Sequence, residues 1–195
     1  NIYADGKVPE HEVLQPLAQA ITGRRLTQEH FDKLIYAREF DLEDVMPTTV
    51  EGLINYADFT STPLMNLALE VMGENPAQYA VQPVAVNYAL AGILRAVPFF
   101  AAQRRCLLPE NLMVKYGVKK LYELKPQGDL PAVIRDVAEQ FVPGLKPAQP
   151  FLKLSDTLAG MEMRRLKACG FNPFRPTLRK PLPFKALRLF LSNCF

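Results

Sequence analysis

The sequence contains no tryptophan, only two histidines and only three cysteines among its 195 residues. The cysteines, Cys106, Cys169 and Cys194, lie far apart and form no Cys-x-x-Cys pair, which argues against a disulfide framework and against a zinc module. Glycosylation sites of the Asn-x-Ser/Thr type are absent as well. Together these absences favour a reducing compartment.

Long hydrophobic runs are also missing. The most apolar stretch, residues 88–102, has 15 residues with Arg95 in its middle, whereas a membrane-spanning helix needs about 20 apolar residues. We therefore expect a buried core helix there and no transmembrane span. Gly-rich phosphate loops, Ser-centred nucleophile motifs and His-Glu-x-x-His motifs are absent too, so we predict no cofactor and no metal.

Acidic residues are absent from one end of the chain. Residues 163–195 contain eight Lys or Arg and no Asp or Glu, whereas residues 1–162 contain 15 basic and 20 acidic residues. The chain therefore consists of an acidic body with a net charge of −5 and a basic tail with a net charge of +8. Phosphates of rRNA and headgroups of anionic lipids attract such a tail equally well.

Apolar residues recur at helical spacing, without a convincing alternating run, and this pattern predicts an all-α fold. We predict that Gly23 closes the first helix and that Thr27 and Thr49 cap the next two. Pro63 should kink the third helix, with the Thr60 and Ser61 hydroxyls near the carbonyls that the proline frees. The predicted helices cover residues 10–22, 28 to just before Pro47, 50–72, 81–101, 110–116, 130–141 and 152–168.

Two small clusters in the body could carry chemistry. The acidic residues Glu39, Asp41, Glu43 and Asp44 could bind a cation, but their spacing distributes them over different helix faces, so a solvated helix end is the better interpretation. Cys106 follows two arginines that could lower its thiol pKa, but it has no histidine partner nearby in sequence. A buried structural cysteine is therefore the better interpretation.

Residues 92–109 read Gly-Ile-Leu-Arg-Ala-Val-Pro-Phe-Phe-Ala-Ala-Gln-Arg-Arg-Cys-Leu-Leu-Pro. This stretch resembles the second signature of the squalene/phytoene synthase family, N-I-L-R-D-V-x-x-D-x-x-x-x-R-x-Y-L-P. Flanking segments at residues 31–39, 53–57 and 70–73 resemble the family as well, and the similarity extends over residues 10–191. It implies an isoprenoid-synthase-like helical bundle over residues 1–170, without the N-terminal helices of that fold, and a Pro-rich basic docking segment over residues 171–195.

The departures from the family pattern bear directly on activity. Active members place two aspartates four residues apart on one helix face, where they hold Mg²⁺ against a diphosphate. Here those positions are Ala96 and Phe100, and no carboxylate lies between Glu74 and Glu110. The resemblance thus implies a pseudoenzyme in which Phe99 and Phe100 are core or partner-facing residues. Its vestigial pocket would comprise Arg95, Ala96, Phe100, Arg104 and Arg105.

The arginines of this vestigial pocket have two interpretations. They could still meet a phosphate, or they could brace the helix against acids elsewhere in the body, and the second interpretation is favoured. The pattern Leu94-Arg95-Ala96-x-Pro98 and the later Phe171-Asn-Pro-Phe-x-Pro-x-Leu178 resemble a catalytically degenerate mitochondrial branch of the family that assists assembly of respiratory complex I.

This resemblance implies a non-catalytic scaffold in the mitochondrial matrix, peripheral to the inner membrane, whose partners are protein subunits of a large complex. One alternative keeps the degenerate fold but makes the client the mitochondrial ribosome or its precursor. A third interpretation, less favoured, is a residual transferase that binds prenyl diphosphates.

Prolines divide the basic tail into two parts. We expect residues 171–183 to run extended over a surface, and residues 184–194 to form an amphipathic helix with Phe184, Leu187, Leu191 and Cys194 on one face. The tail could pack back on the acidic body, or it could bind a polyanion or partner protein. The second possibility assigns partner binding to Arg175, Arg179, Lys180, Lys185 and Arg188.

Overall fold

The computed structural model describes residues 2–3, 6, 8–42, 46–181 and 184–194, without the side chains of residues 40, 179 and 191–194. The part so described contains one isolated β-bridge, between Lys119 and Gln127, and no strand, so the all-α prediction is confirmed. Single 3₁₀ turns occur at Pro76–Gln78 and Leu121–Glu123. The helices are α1 (Leu14–Arg24), α2 (Gln28–Leu42), α3 (Val50–Val71), α4 (Val81–Ala102), α5 (Glu110–Lys115), α6 (Leu130–Ala138), α7 (Pro150–Ala168), α8 (Pro176–Arg179) and α9 (Lys185–Cys194).

Helix α4 is the centre of the bundle and packs against both α3 and α7. Its Leu90 and Leu94 have no exposed surface, and they belong to the main core cluster together with residues of α3, α6 and the loops that follow α4. By length and composition α4 could cross a membrane, and half of its most apolar window is buried inside the bundle. Its apolar character is used here to form a protein core.

Helix α3 begins as predicted, because the Thr49 hydroxyl accepts a hydrogen bond from the Gly52 N–H at 3.1 Å. Pro63 is buried within α3, which is assigned as one helix on both sides of it. A proline at position 63 leaves the carbonyl of Phe59 without its helical donor. The Thr60 hydroxyl donates to the carbonyls of Tyr56 at 2.8 Å and Ala57 at 3.3 Å, which belong to the preceding turn.

The end of α1 differs from the prediction. Gly23 lies inside the helix, and Arg25 adopts the left-handed conformation at φ 54° and ψ 48°. The reason is the residue that follows it: Leu26 is buried against Ile21, and its N–H donates to the Ile21 carbonyl at 3.1 Å. A hydrophobic contact together with such a hydrogen bond is a common way to end a helix. Because Leu26 makes both with Ile21, the left-handed residue that ends α1 is Arg25.

The start of α2 is tied to the end of α3. The backbone N–H of Thr27 donates to one carboxylate oxygen of Glu70 at 2.9 Å, and the Thr27 hydroxyl donates to the other at 2.5 Å. Glu70 therefore places a negative charge at the N-terminus of α2, where the helix dipole favours it. His30, one turn further along α2, lies 3.7 Å from the same carboxylate.

Helix α6 ends earlier than the periodicity indicated, at Ala138 rather than at residue 141. The chain leaves the helix because the backbone of Val142 pairs with the side chain of Asn87 on α4. The Asn87 Nδ2 donates to the Val142 carbonyl at 2.8 Å, and the Val142 N–H donates to Asn87 Oδ1 at 2.9 Å. This buried amide satisfies both backbone groups and anchors the 139–149 loop to the core helix.

The first part of the tail packs against the body rather than running fully extended. Phe171 and Phe174 pack against the main core cluster, Leu178 is buried within it, and α8 supplies a short helical turn. The guanidinium of Arg165 on α7 donates to the carbonyls of Thr177 and Lys180 at 2.9 and 2.7 Å. These contacts direct the chain into α9, which lies on α7.

Candidate functional site

The second half of α4 carries the positions where the resemblance implies metal-binding aspartates. Ala96 and Phe100 are partly buried, and the Phe100 ring packs against the main core cluster. Phe99 is 62% exposed and contacts Phe100 edge to face, with ring centroids 6.1 Å apart. Phe99 is therefore not a core residue, and Phe100 is a half-buried one. Neither a methyl group nor a phenyl ring can ligate a hard cation.

The three arginines of this region have different environments. Arg95 is exposed on α4, and Arg104 is exposed after the helix end, where it adopts a left-handed conformation with φ 59°. Arg105 is half-buried, and its Nη2 donates to Asp41 Oδ1 at 3.1 Å. The side chain of Arg105 thus connects the end of α4 with the end of α2.

Asp41 is the centre of a polar network that links three elements. Besides Arg105, it accepts a hydrogen bond from Arg38 at 2.6 Å and one from the Tyr56 hydroxyl on α3 at 2.8 Å. Its side chain is only 14% exposed. The acidic run was expected to be a solvated helix end, and for Asp41 that expectation is wrong, since three donors hold its carboxylate in place. Glu43 and Asp44 lie outside the described residues.

Burial and charge act in opposite directions on the titration of this network. Burial alone would raise the pKa of Asp41, but the hydrogen bonds from Tyr56 and Arg38 and the charges of Arg38 and Arg105 together hold that pKa below its ordinary value. Burial, together with the hydrogen bond to Asp41 and its charge, raises the pKa of Tyr56 to about 12. At neutral pH the network therefore consists of a carboxylate, two guanidinium groups and a neutral phenol.

The contacts that the structure shows at this site are ion pairs and hydrogen bonds. Among the residues that the structure describes, no group of three His, Cys, Asp or Glu side chains is placed to hold a metal ion. Burial raises the pKa of the Cys106 thiol, so the two preceding arginines do not create a reactive thiolate there.

The tail residues predicted to bind a partner are placed on the surface. Arg175, Lys180, Lys185 and Arg188 are all exposed. For Arg179 only the backbone, at the end of α8, is described. The first residues of the predicted apolar face are exposed as well, Phe184 at 75% and Leu187 at 54%. The second half of the tail thus presents cations and large apolar groups together.

The sequence does not point to two residues whose hydrogen bonds connect separate parts of the fold. In the sequence Tyr56 stands out only as part of a family-like segment, because the acceptor of its hydroxyl lies 15 positions away. Asn87 belongs to no sequence motif, although a polar amide within an apolar helix is a signal that it has a buried partner.

A sequence model of the squalene/phytoene synthase family matches residues 1–180. The chain belongs to this family. Solved structures agree on the fold: a dehydrosqualene synthase superposes over 99% of the chain and 73% of its own length, with a TM-score of 0.77 and 16% identity. The squalene synthase HpnC from Alicyclobacillus acidocaldarius covers 82% of the chain and 66% of its own length, with a TM-score of 0.69 and 18% identity.

Curated relatives of this family member carry a different kind of name. The proteins named NADH dehydrogenase (ubiquinone) complex I, assembly factor 6 from Bos taurus and Homo sapiens are each 27% identical to it over 99% of the chain. A homologue of that factor from Dictyostelium discoideum is 27% identical over 100% of the chain. The chain spans 59–62% of the length of these relatives.

Proposed function

We propose that this member of the squalene/phytoene synthase family is a non-catalytic protein that assists the assembly of respiratory complex I. The observation that carries this proposal is its similarity, over nearly the whole chain, to relatives that are named complex I assembly factors. The solved synthases share the fold at lower identity. Fold and catalytic activity are separable properties, because activity depends on the site residues.

The side chains at the candidate site support a non-catalytic role. Ionising a prenyl diphosphate requires divalent cations held by carboxylates, whereas the corresponding positions are occupied by Ala96 and Phe100. Arg105 forms an ion pair with Asp41, so its charge is already compensated within the protein. A residual prenyl-diphosphate transferase is therefore the less favoured function.

This aspect of the proposal is tested by incubating the full chain with farnesyl or geranylgeranyl diphosphate and Mg²⁺. We expect no condensed product above the control without protein. A Mg²⁺-dependent product would contradict the proposal. The double variant Ala96→Asp/Phe100→Asp serves as a further check, and we expect it to remain inactive because two carboxylates alone do not build a diphosphate site.

We further propose that the basic tail is the partner-binding element, in the mitochondrial matrix at the surface of the inner membrane. Its exposed cations, Arg175, Lys180, Lys185 and Arg188, have no acidic residue near them in sequence. Such a surface suits acidic protein subunits, and it also suits anionic lipid or rRNA, the last of which would make the mitochondrial ribosome the client.

The decisive experiment replaces Arg175, Arg179, Lys180, Lys185 and Arg188 by glutamine and measures thermal stability together with recovery of complex I in cells that lack their own assembly factor 6. We expect an unchanged melting temperature and a loss of complex I. A matched variant replaces five exposed cations of the body by glutamine, Arg24, Lys119, Lys120, Lys125 and Lys146, and is expected to restore complex I.

Co-purification with and without RNase distinguishes the possible clients. Retention of complex I subunits after RNase treatment supports the proposal. Recovery of ribosomal proteins that disappears with RNase would favour the ribosomal alternative. A fall in melting temperature of the tail variant, with association intact, would mean that the tail is structural and that partner binding is assigned to the wrong surface.

A further inference from the structure

A cleft of about 430 Å³ lies between α7 and the loop that follows α6. Its walls are mainly apolar and include Phe141, Pro143 and Met163, and Gly160 forms part of the α7 side. A volume of this size falls within the range of roughly 300–1,000 Å³ that is usual for small-molecule sites. We refer to it as the α7 cleft.

The α7 cleft is separate from the position of the missing aspartates. Its loop wall is fixed by Asn87 on α4, through the two hydrogen bonds between Asn87 and Val142. Asn87 precedes Ala96 by nine residues, and at about 3.6 residues per turn nine residues correspond to roughly half a revolution. The α7 cleft therefore adjoins the face of α4 opposite to the one that carries Ala96 and Phe100.

Two cations line the α7 cleft, Arg164 and Lys167, and both are exposed residues of α7. Within the described part of the chain neither lies within salt-bridge distance of a carboxylate. Neither cation is thus held in an ion pair. An apolar cleft lined by two such cations is complementary to an amphiphile with an anionic end.

Gly160 keeps the α7 cleft open. A glycine in the interior of a helix is unfavourable compared with alanine, so its presence in α7 needs a reason. A Cβ atom at position 160 would lie 3.3 Å from Nη1 of Arg164, which shows that the guanidinium extends back over the glycine. The missing side chain thus leaves room both for the guanidinium and for a ligand beside it.

Among the described residues that line the α7 cleft, Asp156 is the one acidic group. Burial raises its pKa, whereas a hydrogen bond with Asn87 and the charge of Arg164 act in the opposite direction. The single carboxylate is thus bound to groups of the protein and offsets only one of the two cations. A net positive charge remains for an incoming anion.

We propose that the α7 cleft binds an anionic amphiphile, meaning one hydrocarbon chain that ends in a phosphate or a carboxylate. The hydrocarbon chain lies against Phe141, Pro143 and Met163, and the anionic end pairs with Arg164 and Lys167. This site is independent of complex I assembly, so its failure would leave the proposed function untouched.

Calorimetric titration of the full chain tests the proposal, with dodecyl phosphate and laurate below their critical micelle concentrations and dodecanol below its solubility limit. The probes are dodecyl phosphate, laurate, 1-dodecanol as the neutral compound with the same chain, and inorganic phosphate as the head alone. We expect one molecule of dodecyl phosphate or laurate per chain, dodecanol at least tenfold weaker, and no binding of inorganic phosphate. Tighter binding of dodecyl phosphate indicates a phospholipid-type ligand, and tighter binding of laurate a fatty acid.

Three variants locate the site. Arg164→Gln/Lys167→Gln should weaken binding of both anionic probes at least tenfold, whereas the matched pair Lys119→Gln/Lys125→Gln should leave it unchanged. Gly160→Leu should abolish binding by filling the cleft without lowering the melting temperature, since leucine is the better helix former. If Gly160→Leu does not fold, the exposed double variant still decides the question.

Equal affinities for dodecanol and the anionic probes would overturn the proposal. Equal losses of affinity in Arg164→Gln/Lys167→Gln and in Lys119→Gln/Lys125→Gln would overturn it as well. Undiminished binding by a folded Gly160→Leu variant would likewise exclude the α7 cleft as the site. Several molecules of probe per chain, with no effect of any variant, would mean unspecific binding and would also overturn it.

Discussion

Helices α4 and α9 are both rich in apolar side chains, yet the fold treats them in opposite ways. α4 lies between α3 and α7, and its Leu90 and Leu94 have no exposed surface. α9 lies on α7 at the surface, and its Leu187 and Phe190 are 54% and 64% exposed. An apolar helix is therefore buried only where other helices pack against several of its sides. An apolar helix without such neighbours keeps its large side chains exposed, as α9 does.

The largest expected loss of stability is for a substitution in the buried helix α4. Leu94→Ala removes a fully buried side chain from the main core cluster, and we expect the free energy of unfolding to fall by about 2–5 kcal/mol. Urea denaturation measures this change. Leu64→Ala on α3, at a position that is 58% exposed, is the matched control and should cost far less. Equal losses for both variants would contradict the assignment of α4 as the core.

A smaller loss of stability is expected for a substitution where α4 approaches the surface. Phe100→Asp replaces a half-buried ring by a charge without a partner, and we expect it to lower the free energy of unfolding by about 3 kcal/mol. Phe99→Asp, at the adjacent exposed position, should be nearly neutral. An unchanged melting temperature for Phe100→Asp would mean that this face of α4 is open and wet, which would revive the ligand-binding interpretation.

Breaking the polar network around Asp41 should lower the free energy of unfolding by an intermediate amount that depends on pH. Asp41→Asn removes a carboxylate that pairs with Arg38 and Arg105, and at pH 7 we expect a loss of about 1.5 kcal/mol. The folded-state pKa of Asp41 lies below its ordinary value of 3.8, so its stabilisation is present above pH 3.8 and disappears as the pH falls through the lower value. Asp32→Asn, on the same helix but exposed, should retain the pH dependence of the unaltered protein.

The smallest expected effect on stability is at the exposed helix. Leu187→Ala on α9 should change the free energy of unfolding by less than about 0.5 kcal/mol, because the side chain already meets solvent. Thermal denaturation checks this value. If α9 is a partner surface, the same variant reduces association with the native complex. A large loss of stability would instead show that α9 belongs to the core in solution.

Most helices of the body could be predicted from local patterns alone. The Thr49 cap, the start of α4 at Val81, the start of α5 at Glu110 and the start of α6 at Leu130 all follow from signals within a few residues. The membership of the family could be predicted as well, because residues 92–109 keep the order and spacing of a known signature.

Two of the errors occur where a distant residue decides the local structure. Asp41 looks like a solvated residue in its own helix, but Arg105, 64 positions later, and Tyr56 place it in a network. The end of α6 depends in the same way on Asn87, 55 positions before Val142. Sequence periodicity describes one helix at a time and therefore does not register such pairs.

The pairing of Thr27 with Glu70 has a consequence for the dynamics of the N-terminal region. The hydrogen bond of the Thr27 amide is closed by a group 43 positions away on α3, not by its own helix. Its amide proton is therefore protected as long as Glu70 stays on Thr27, and separation of α2 from α3 removes this protection. The exchange rate of this single proton reports the docking of the two helices.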